Sequence, residues 1–534
     1  MSVDTLNFMN YEQPARTDRL GPTMQVSTQR KGFAEAYDRG KPQVVWTTLV
    51  ADLETPVAAM IKLAEGQPYG FLLESIEGGA VRGRYSYIGL KPDLIWRCYG
   101  ERAEINRNVQ VGSGEYEPQP LPALASLRAL IAECRIELPP VLPPGSASLI
   151  GFFAYDFVRL IERLPDGNPD ELGLPDAMLM RPTVVAVFDN VLDRMTVVTP
   201  VYPTPGLSAE AAHDRACERL AGVASDLRRS LPHQLAPVGH GAVPEPASNL
   251  TTEQYHAMVE QTKTYIRAGD AFQVVPSQRF SLPFRLPPLS LYRSLRRLNP
   301  SPFSFFLNLG AFALVGSSPE ILVRLRDGTV TVRPIAGTRP RGRTRAEDMA
   351  LEQDLLADPK ELAEHLMLLD LGRNDVGRVA KIGTVRVTEQ MIVERYSHVM
   401  HIVSNVEGEL DPARADVLDV LCAGFPAGTV SGAPKIRAME IIDELEPTRR
   451  GFYAGGIGYI GADGNLDTCI GQRTGLVKNG VLYVQAGGGV VADSNPDAEY
   501  RESCNKAKAL LRAAEEAMRF DGTGIAHHAE YGAD

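Results

Sequence analysis

Residues 321–335, ILVRLRDGTVTVRPI, set Asp327-Gly328 between two runs rich in alternating and β-branched residues. Asp-Gly in this setting predicts a two-residue β-turn, because both central positions must tolerate positive φ, and such a turn makes its flanking strands antiparallel. The signal recurs downstream. Asp463-Gly464 follows GGIGYIG (455–461) and precedes a strand through Cys469, and Asn479-Gly480 separates TGLVK (474–478) from VLYVQAG (481–487). Upstream, strand-like runs occupy 43–50, 69–76, 81–89, 147–154 and 183–199, the last broken by a turn at Asp189-Asn190. Thr251-x-x-Gln254 is a capping box that opens a helix ending near Gly269, and further helices are expected at 345–373, 412–422, 432–445 and 496–519. Strands and helices do not alternate strictly, which favours an α+β fold of mainly antiparallel layers over a doubly wound parallel sheet. The stretch 230–250, SLPHQLAPVGHGAVPEPASNL, follows a helical run at 208–229, has four prolines and no apolar period, and is expected to be a linker.

The chain has 534 residues and 55 Lys+Arg against 66 Asp+Glu, a net charge of −11. That sign argues against nucleic acid or anionic lipid as a partner, since both call for a basic footprint. No run approaches the ~18 apolar residues of a membrane span. The first thirty residues lack a basic start and an apolar core, so no secretory signal is expected. Six cysteines without CxxC spacing point to reduced thiols and a cytoplasmic location.

Two segments share one layout. In DPKELAEH (358–365) and NPDAEYRE (495–502), an N-cap and an N1 proline precede two glutamates at i and i+3: Glu361 and Glu364, then Glu499 and Glu502. Carboxylates paired on one helix face can hold a hard cation such as Mg²⁺. They can equally complete a capping box or complement a helix dipole, and these segments alone leave both roles open. The glycine-rich runs 451–459 and 485–490 invite close approach to the main chain, or simply mark bulges. Neither fits a nucleotide-binding fingerprint, and 424–435, with Lys435, resembles a phosphate loop only superficially. His398 and His401 fall on opposite faces of a strand, which excludes a simple metal pair; one can serve as a general base or as a structural histidine.

In order along the chain, AFQVVPSQRF (271–280), GSSPEIL (316–322), RPIAGTRPRG (333–342), AEHLMLLDLGRND (363–375), SHVMHIVS (397–404), FPAGTVSGAPK (425–435), GFYAGGIGY (451–459) and AGGGVVADS (486–494) resemble the chorismate-utilising enzymes, in their anthranilate-forming branch. The resemblance is dense over about 250–515 and weaker over about 40–200. It implies two mainly antiparallel β-sheets packed together with helices outside. It also implies a regulatory, tryptophan-binding part at 41–229 intertwined with a chorismate-binding catalytic part at 251–520, leaving 1–40 and the tail 521–534 unassigned.

The family's active site holds one Mg²⁺, and the matching positions are Glu364 and Glu502 as principal ligands with Glu361 and Glu499 nearby. Gly337 and Thr338 match substrate contacts, and Tyr453, Arg473, Gly487, Gly488 and Gly489 match those to the enolpyruvyl carboxylate. The implied reaction adds ammonia at C2 of chorismate with loss of the C4 hydroxyl, then eliminates pyruvate to leave anthranilate. Glu320 matches the general acid, His401 the residue implicated in the elimination, and Thr429 lines the pocket. Gln273 stands where water-adding members carry a lysine base, which disfavours isochorismate or salicylate formation. Ala336 stands where aminodeoxychorismate synthases often carry a nucleophilic lysine. Leu73, Glu74 and Ser75 with Pro302, Phe303 and Ser304 resemble the two walls of a tryptophan pocket, Phe303 and Ser304 replacing the usual Tyr and Met. The absence of a glutaminase Cys–His–Glu set implies a separate glutamine amidotransferase subunit, in a heterotetramer of two large and two small subunits. The competing assignments are component I of an aminodeoxychorismate synthase, against which Ala336 and the LLES element weigh, and a non-catalytic tryptophan-sensing subunit, which would not need the catalytic set.

Overall fold

The computed structural model of the chain describes residues 26–28, 30–64, 67–77, 81–111, 114–231, 244–396 and 399–519. His398, most of the 1–40 extension, the centre of the 230–250 linker and the 521–534 tail lie outside the described residues. All three Asp-Gly or Asn-Gly turns form hairpins: Ile321–Arg326 with Thr329–Val332, Gly456–Gly461 with Leu466–Ile470, and Thr474–Lys478 with Val481–Gly487. The turn residues Asp327, Gly328, Asn479 and Gly480 have φ of 49°, 78°, 52° and 75°, the left-handed values such turns require.

Twenty-one strands join in one hydrogen-bonded antiparallel sheet, and Gln273–Val274 with Gly432–Ala433 make a second, two-stranded one. The large sheet folds into two layers at Val81–Tyr99 and Ala177–Asp189, long strands that belong to both. Their register slips between Pro92 and Leu94, where Pro92 faces Pro182. Neither proline can donate to the ladder, so the sheet breaks and turns there. The first layer carries Ser277–Pro283, Val481–Gly487, Thr474–Lys478, Phe312–Ser318, Phe303–Leu309 and Tyr69–Glu77 in that order. The second carries Ser148–Phe153, Gly456–Gly461, Leu466–Ile470, Ile321–Arg326, Thr329–Val332 and Val399–Glu409. In both layers an N-terminal strand thus pairs directly with a C-terminal one, Tyr69–Glu77 with Phe303–Leu309 and Ser148–Phe153 with Gly456–Gly461. The segment expected to be a linker closes with Ala247–Ser248, a short strand paired to Phe280 and Ser281.

The period of two sets what each face buries. Phe305, Leu307 and Leu309 point between the layers, into a core shared with Trp96, Phe152 and Ile457, whereas Phe306 points out to the helices Pro288–Leu298 and Pro496–Arg519. Phe152 meets Phe312 edge-on across the layers, with ring centroids 5.8 Å apart. Burying each such ring stabilises the fold by about 1.5–3 kcal/mol.

The expected 345–373 helix is two helices, Arg345–Ala357 and Pro359–Gly377, divided where Pro359 lacks an N–H and Asp358 caps the second by accepting from Lys360 N (3.0 Å). The helix expected at 412–422 is Val417–Gly424, capped by Asp416, and that expected at 432–445 begins at Lys435, after Pro434. The Thr251 capping box forms as expected, ending at Gly269 with φ 88°.

Candidate active site

The glycine runs have different fates. A Cβ on Gly455 or Gly458 would strike a neighbouring strand, 2.1 Å from Phe153 O or 2.0 Å from Asp467 O, so those glycines serve strand packing. Gly488 and Gly489 serve a site. A Cβ there would stand 2.6 Å from Glu499 Oε2 and 2.4 Å from Gln273 Nε2. Gln273 Nε2 in turn donates to Glu364 Oε1 (2.9 Å). The two carboxylate pairs, from two helix N-termini, therefore meet at the Gly488-Gly489 backbone.

Within each pair the charges repel. Burial first, then Glu364, raises the pKa of Glu361, and burial first, then Glu502, raises that of Glu499. Ser494 Oγ donates to Glu499 Oε1 (2.7 Å), while Glu499 Oε2 is buried without a partner, as is Gln273 Oε1. Among the described residues no three His, Cys, Asp or Glu side chains close on a common point. The donor set is nonetheless all oxygen, with one carboxylate oxygen orphaned, and this suits a hard cation that keeps several of its own waters. Lys506, one turn after Glu502, pairs with it at 2.7 Å and donates to Gly487 O (3.0 Å).

The second face is the 335–340 strand. Gly337 lies at φ 71° in a bulge against Val399–Glu409, so its carbonyl leaves the ladder and accepts from His401 Nδ1 (3.0 Å). A carbonyl can only accept, which places the proton on Nδ1 and leaves Nε2 a free base. Burial lowers the His401 pKa to about 4. Thr338 Oγ1 lies 3.1 Å from Nδ1, and Arg339 reaches Asp358 (2.8 Å) and Glu361 (3.4 Å).

The third face holds Glu320, whose carboxyl burial pushes up to about 8 against the opposing effect of Thr429 and Gln472 beside it. Gln472 Nε2 donates to it at 3.0 Å. Arg473 lies half-buried next door, and its guanidinium makes no hydrogen bond or ion pair among the described residues. It senses Tyr453, Glu320 and Glu502, and His401 senses Arg473 and Lys506. The Gly487 amide lies against the Tyr453 hydroxyl. All fifteen residues expected at the active site thus belong to one constellation.

The six residues of the expected tryptophan pocket line a different cavity of about 730 Å³. Its walls include Pro319 and Ile321, which flank Glu320, and Tyr396, whose ring stands 5.6 Å from that of His401. Glu74 contributes main chain there, because its carboxylate is held by Tyr292 (2.6 Å) and Arg296 (2.8 Å) on the helix behind. Sequence reasoning missed Lys506, Gln472, Arg339 and Tyr396. Only Lys506 had a signal, its i+4 spacing from Glu502. Lys435 is no phosphate ligand: its ammonium lies 3.0 Å from Asp375.

Residues 83–512 match the family model described as chorismate binding enzyme. Component 1 of the anthranilate synthase of Cereibacter sphaeroides is 60% identical over 493 residues, 92% of this chain and 98% of that protein. The corresponding protein of Pseudomonas aeruginosa is 48% identical over 469 residues, 87% and 94% of the two chains. Among solved structures, anthranilate synthase component I from Streptococcus pneumoniae aligns with a TM-score of 0.70 at 37% identity, covering 80% of this chain and 92% of that one. A menaquinone-specific isochorismate synthase from Escherichia coli shares the fold, with a TM-score of 0.66 at 20% identity over 91% of this chain and all of that one. With its strand order, its paired carboxylates and its Glu320, His401 and Arg473 so disposed, the chain belongs to the chorismate-binding enzyme family, alongside the first components of anthranilate synthases.

Proposed function

We propose that this chain is the Mg²⁺-dependent large component of an anthranilate synthase, converting chorismate and ammonia to anthranilate, pyruvate and water. The observation that carries the proposal is the meeting, in one site, of a buried carboxyl with its pKa raised to about 8 (Glu320), an imidazole with its pKa lowered to about 4 (His401) and a guanidinium without a partner among the described residues (Arg473). Arg473 and the glycine amides at 487–489 grip the enolpyruvyl carboxylate through charge-assisted bonds. Glu320 gives its proton to the departing C4 hydroxyl, which leaves as water while ammonia forms the bond at C2. His401 Nε2 then takes the C2 proton as the enolpyruvyl C–O bond breaks, and the ring becomes aromatic. Glu361, Glu364, Glu499 and Glu502 would hold Mg²⁺, whose charge neutralises the ring carboxylate of the substrate. Gln273 cannot deprotonate water and Ala336 cannot attack the ring, which favours direct amination at C2.

Ammonia from glutamine is supplied by a separate amidotransferase, in a cytoplasmic heterotetramer of two large and two small subunits. Tryptophan occupies the Leu73–Ser304 cavity and inhibits by preferring a less active state. Purified chain with chorismate, Mg²⁺ and ammonium salt is expected to give anthranilate fluorescence, and tryptophan to suppress it. Accumulation of 4-amino-4-deoxychorismate or isochorismate would overturn the assignment.

A further inference from the structure

Behind the active site, Arg450 and Glu446 form an ion pair buried to 1% and 4% exposure. Arg450 Nε lies 3.0 Å and Nη2 2.6 Å from the two carboxylate oxygens. The rest of the guanidinium is spent on main chain from two other segments: Nη1 donates to Val430 O (2.7 Å) and Nη2 to Val275 O (2.6 Å). Val430 follows Thr429, and Val275 lies two residues after Gln273. Glu446 Oε1 accepts from both Ser277 N and Ser277 Oγ at 2.8 Å, and Ser277 Oγ accepts from Gln485 Nε2 (2.8 Å), two residues before Gly487. The Arg450 charge also stands 5.3 Å from the centre of the Tyr453 ring. One buried pair therefore touches the segments that bring Gln273, Thr429 and Tyr453 to the site, and through Ser277 it reaches the one that brings Gly487.

We infer that Arg450 and Glu446 are positioning residues for the reaction, fixing these four segments against one another; the inference rests on the active-site assignment proposed above. Stability alone is a poor reason for such a pair, since well-packed apolar residues replace buried ion pairs at little or no cost. A planar guanidinium, however, presents its donors in a fixed fork, so a single side chain sets two carbonyls of distant loops at a defined separation. An ammonium cannot do so. The molecule contains a contrasting case. Arg181 is also buried, yet among the described residues its guanidinium engages only side chains, those of Asp93 (2.8 and 3.0 Å), Glu133 (3.4 Å) and Cys134 (3.6 Å), on segments that carry no site residue.

The test compares Arg450→Lys, Glu446→Gln and Arg181→Met, each assayed as folded protein with chorismate, Mg²⁺ and ammonium below its own Tm. Arg450→Lys keeps the charge but loses the fork, and its kcat is expected to fall about 10- to 100-fold with a smaller change in KM, as for a displaced catalytic group. Glu446→Gln keeps both carbonyl bonds and is expected to lose less. Arg181→Met is expected to lower Tm comparably while kcat stays within about twofold, since its partners lie on no segment that carries a site residue. Wild-type kcat in folded Arg450→Lys, or an equal loss in Arg181→Met, would overturn the inference. Glu502→Gln, run alongside, separates the two levels: full activity in that variant would overturn the site assignment itself.

Discussion

The active site and the cavity behind it are built on opposite principles, although Pro319, Ile321 and Tyr396 bring them close together. In the active site, polar groups are left unfinished: Arg473 has no anion, and Glu499 Oε2 and Gln273 Oε1 have no donor among the described residues. Around the cavity the charges are closed off. Arg324 pairs with Asp467 (3.1 Å), Arg333 with Glu389 (2.9 Å), Arg84 with Asp189 (3.0 Å) and Glu74 with Arg296, while Tyr396 donates to Glu394 (2.8 Å). A buried group without a partner costs free energy that a ligand of opposite charge recovers. The first region is therefore suited to a charged ligand, and the second to one that fits by shape and apolar surface.

The largest effects should come from the unfinished groups. Glu320→Gln cannot supply the proton, and kcat is expected to fall by about 10²–10⁴ with KM little changed. In the wild-type protein the same requirement predicts that kcat declines as pH rises through about 8. A variant that kept wild-type kcat would remove Glu320 from the chemistry. Arg473→Met deletes the uncommitted cation, and the KM for chorismate is expected to rise about 100-fold, corresponding to a charge-assisted bond of about 1.5–3 kcal/mol. A smaller effect is expected in the closed region. Ser75→Leu narrows the cavity without touching Glu320 or His401, so the tryptophan concentration for half-inhibition should rise about tenfold, the cost of roughly 1.4 kcal/mol of lost fit. If chorismate turnover collapsed instead, the two regions would not be separable in the way their charge pairing implies.

Local turn chemistry made most of the fold legible: the Asp-Gly and Asn-Gly hairpins, the Thr251 capping box and the Pro496 helix start are all where residue types place them. The bend at Pro92 and Pro182 that turns one sheet into two layers was not legible, because it arises only when two prolines 90 residues apart face each other. At the site, the i, i+3 spacing exposed each glutamate pair, but nothing local joins helix 359–377 to helix 496–519. The family motifs supplied that link. Arg450 and Glu446 show no more in sequence than an i, i+4 spacing, and their reach to Val275, Ser277 and Val430 exists only in three dimensions.

The most direct check on the electrostatics of the unfinished site can be made without substrate. Glu320 moves from 4.5 to about 8 on folding, so between those values the folded state holds a proton that the unfolded chain has lost, and stability falls as pH rises. His401 moves from 6.5 to about 4, so between those values the unfolded chain holds the extra proton and stability rises with pH. The two slopes oppose each other from 4.5 to 6.5, and only the Glu320 slope remains from 6.5 to 8. His365, also lowered to about 4, acts on the acid side and leaves that upper window untouched. Wild-type protein is therefore expected to lose about 2 kcal/mol between pH 6.5 and 8 at 1.36 kcal/mol per unit. Glu320→Gln should remove that loss and uncover the rise between 4.5 and 6.5. Denaturant titrations of both proteins at pH 5, 6.5 and 8 make the comparison, and parallel curves would show that Glu320 ionises in the folded protein as it does in water.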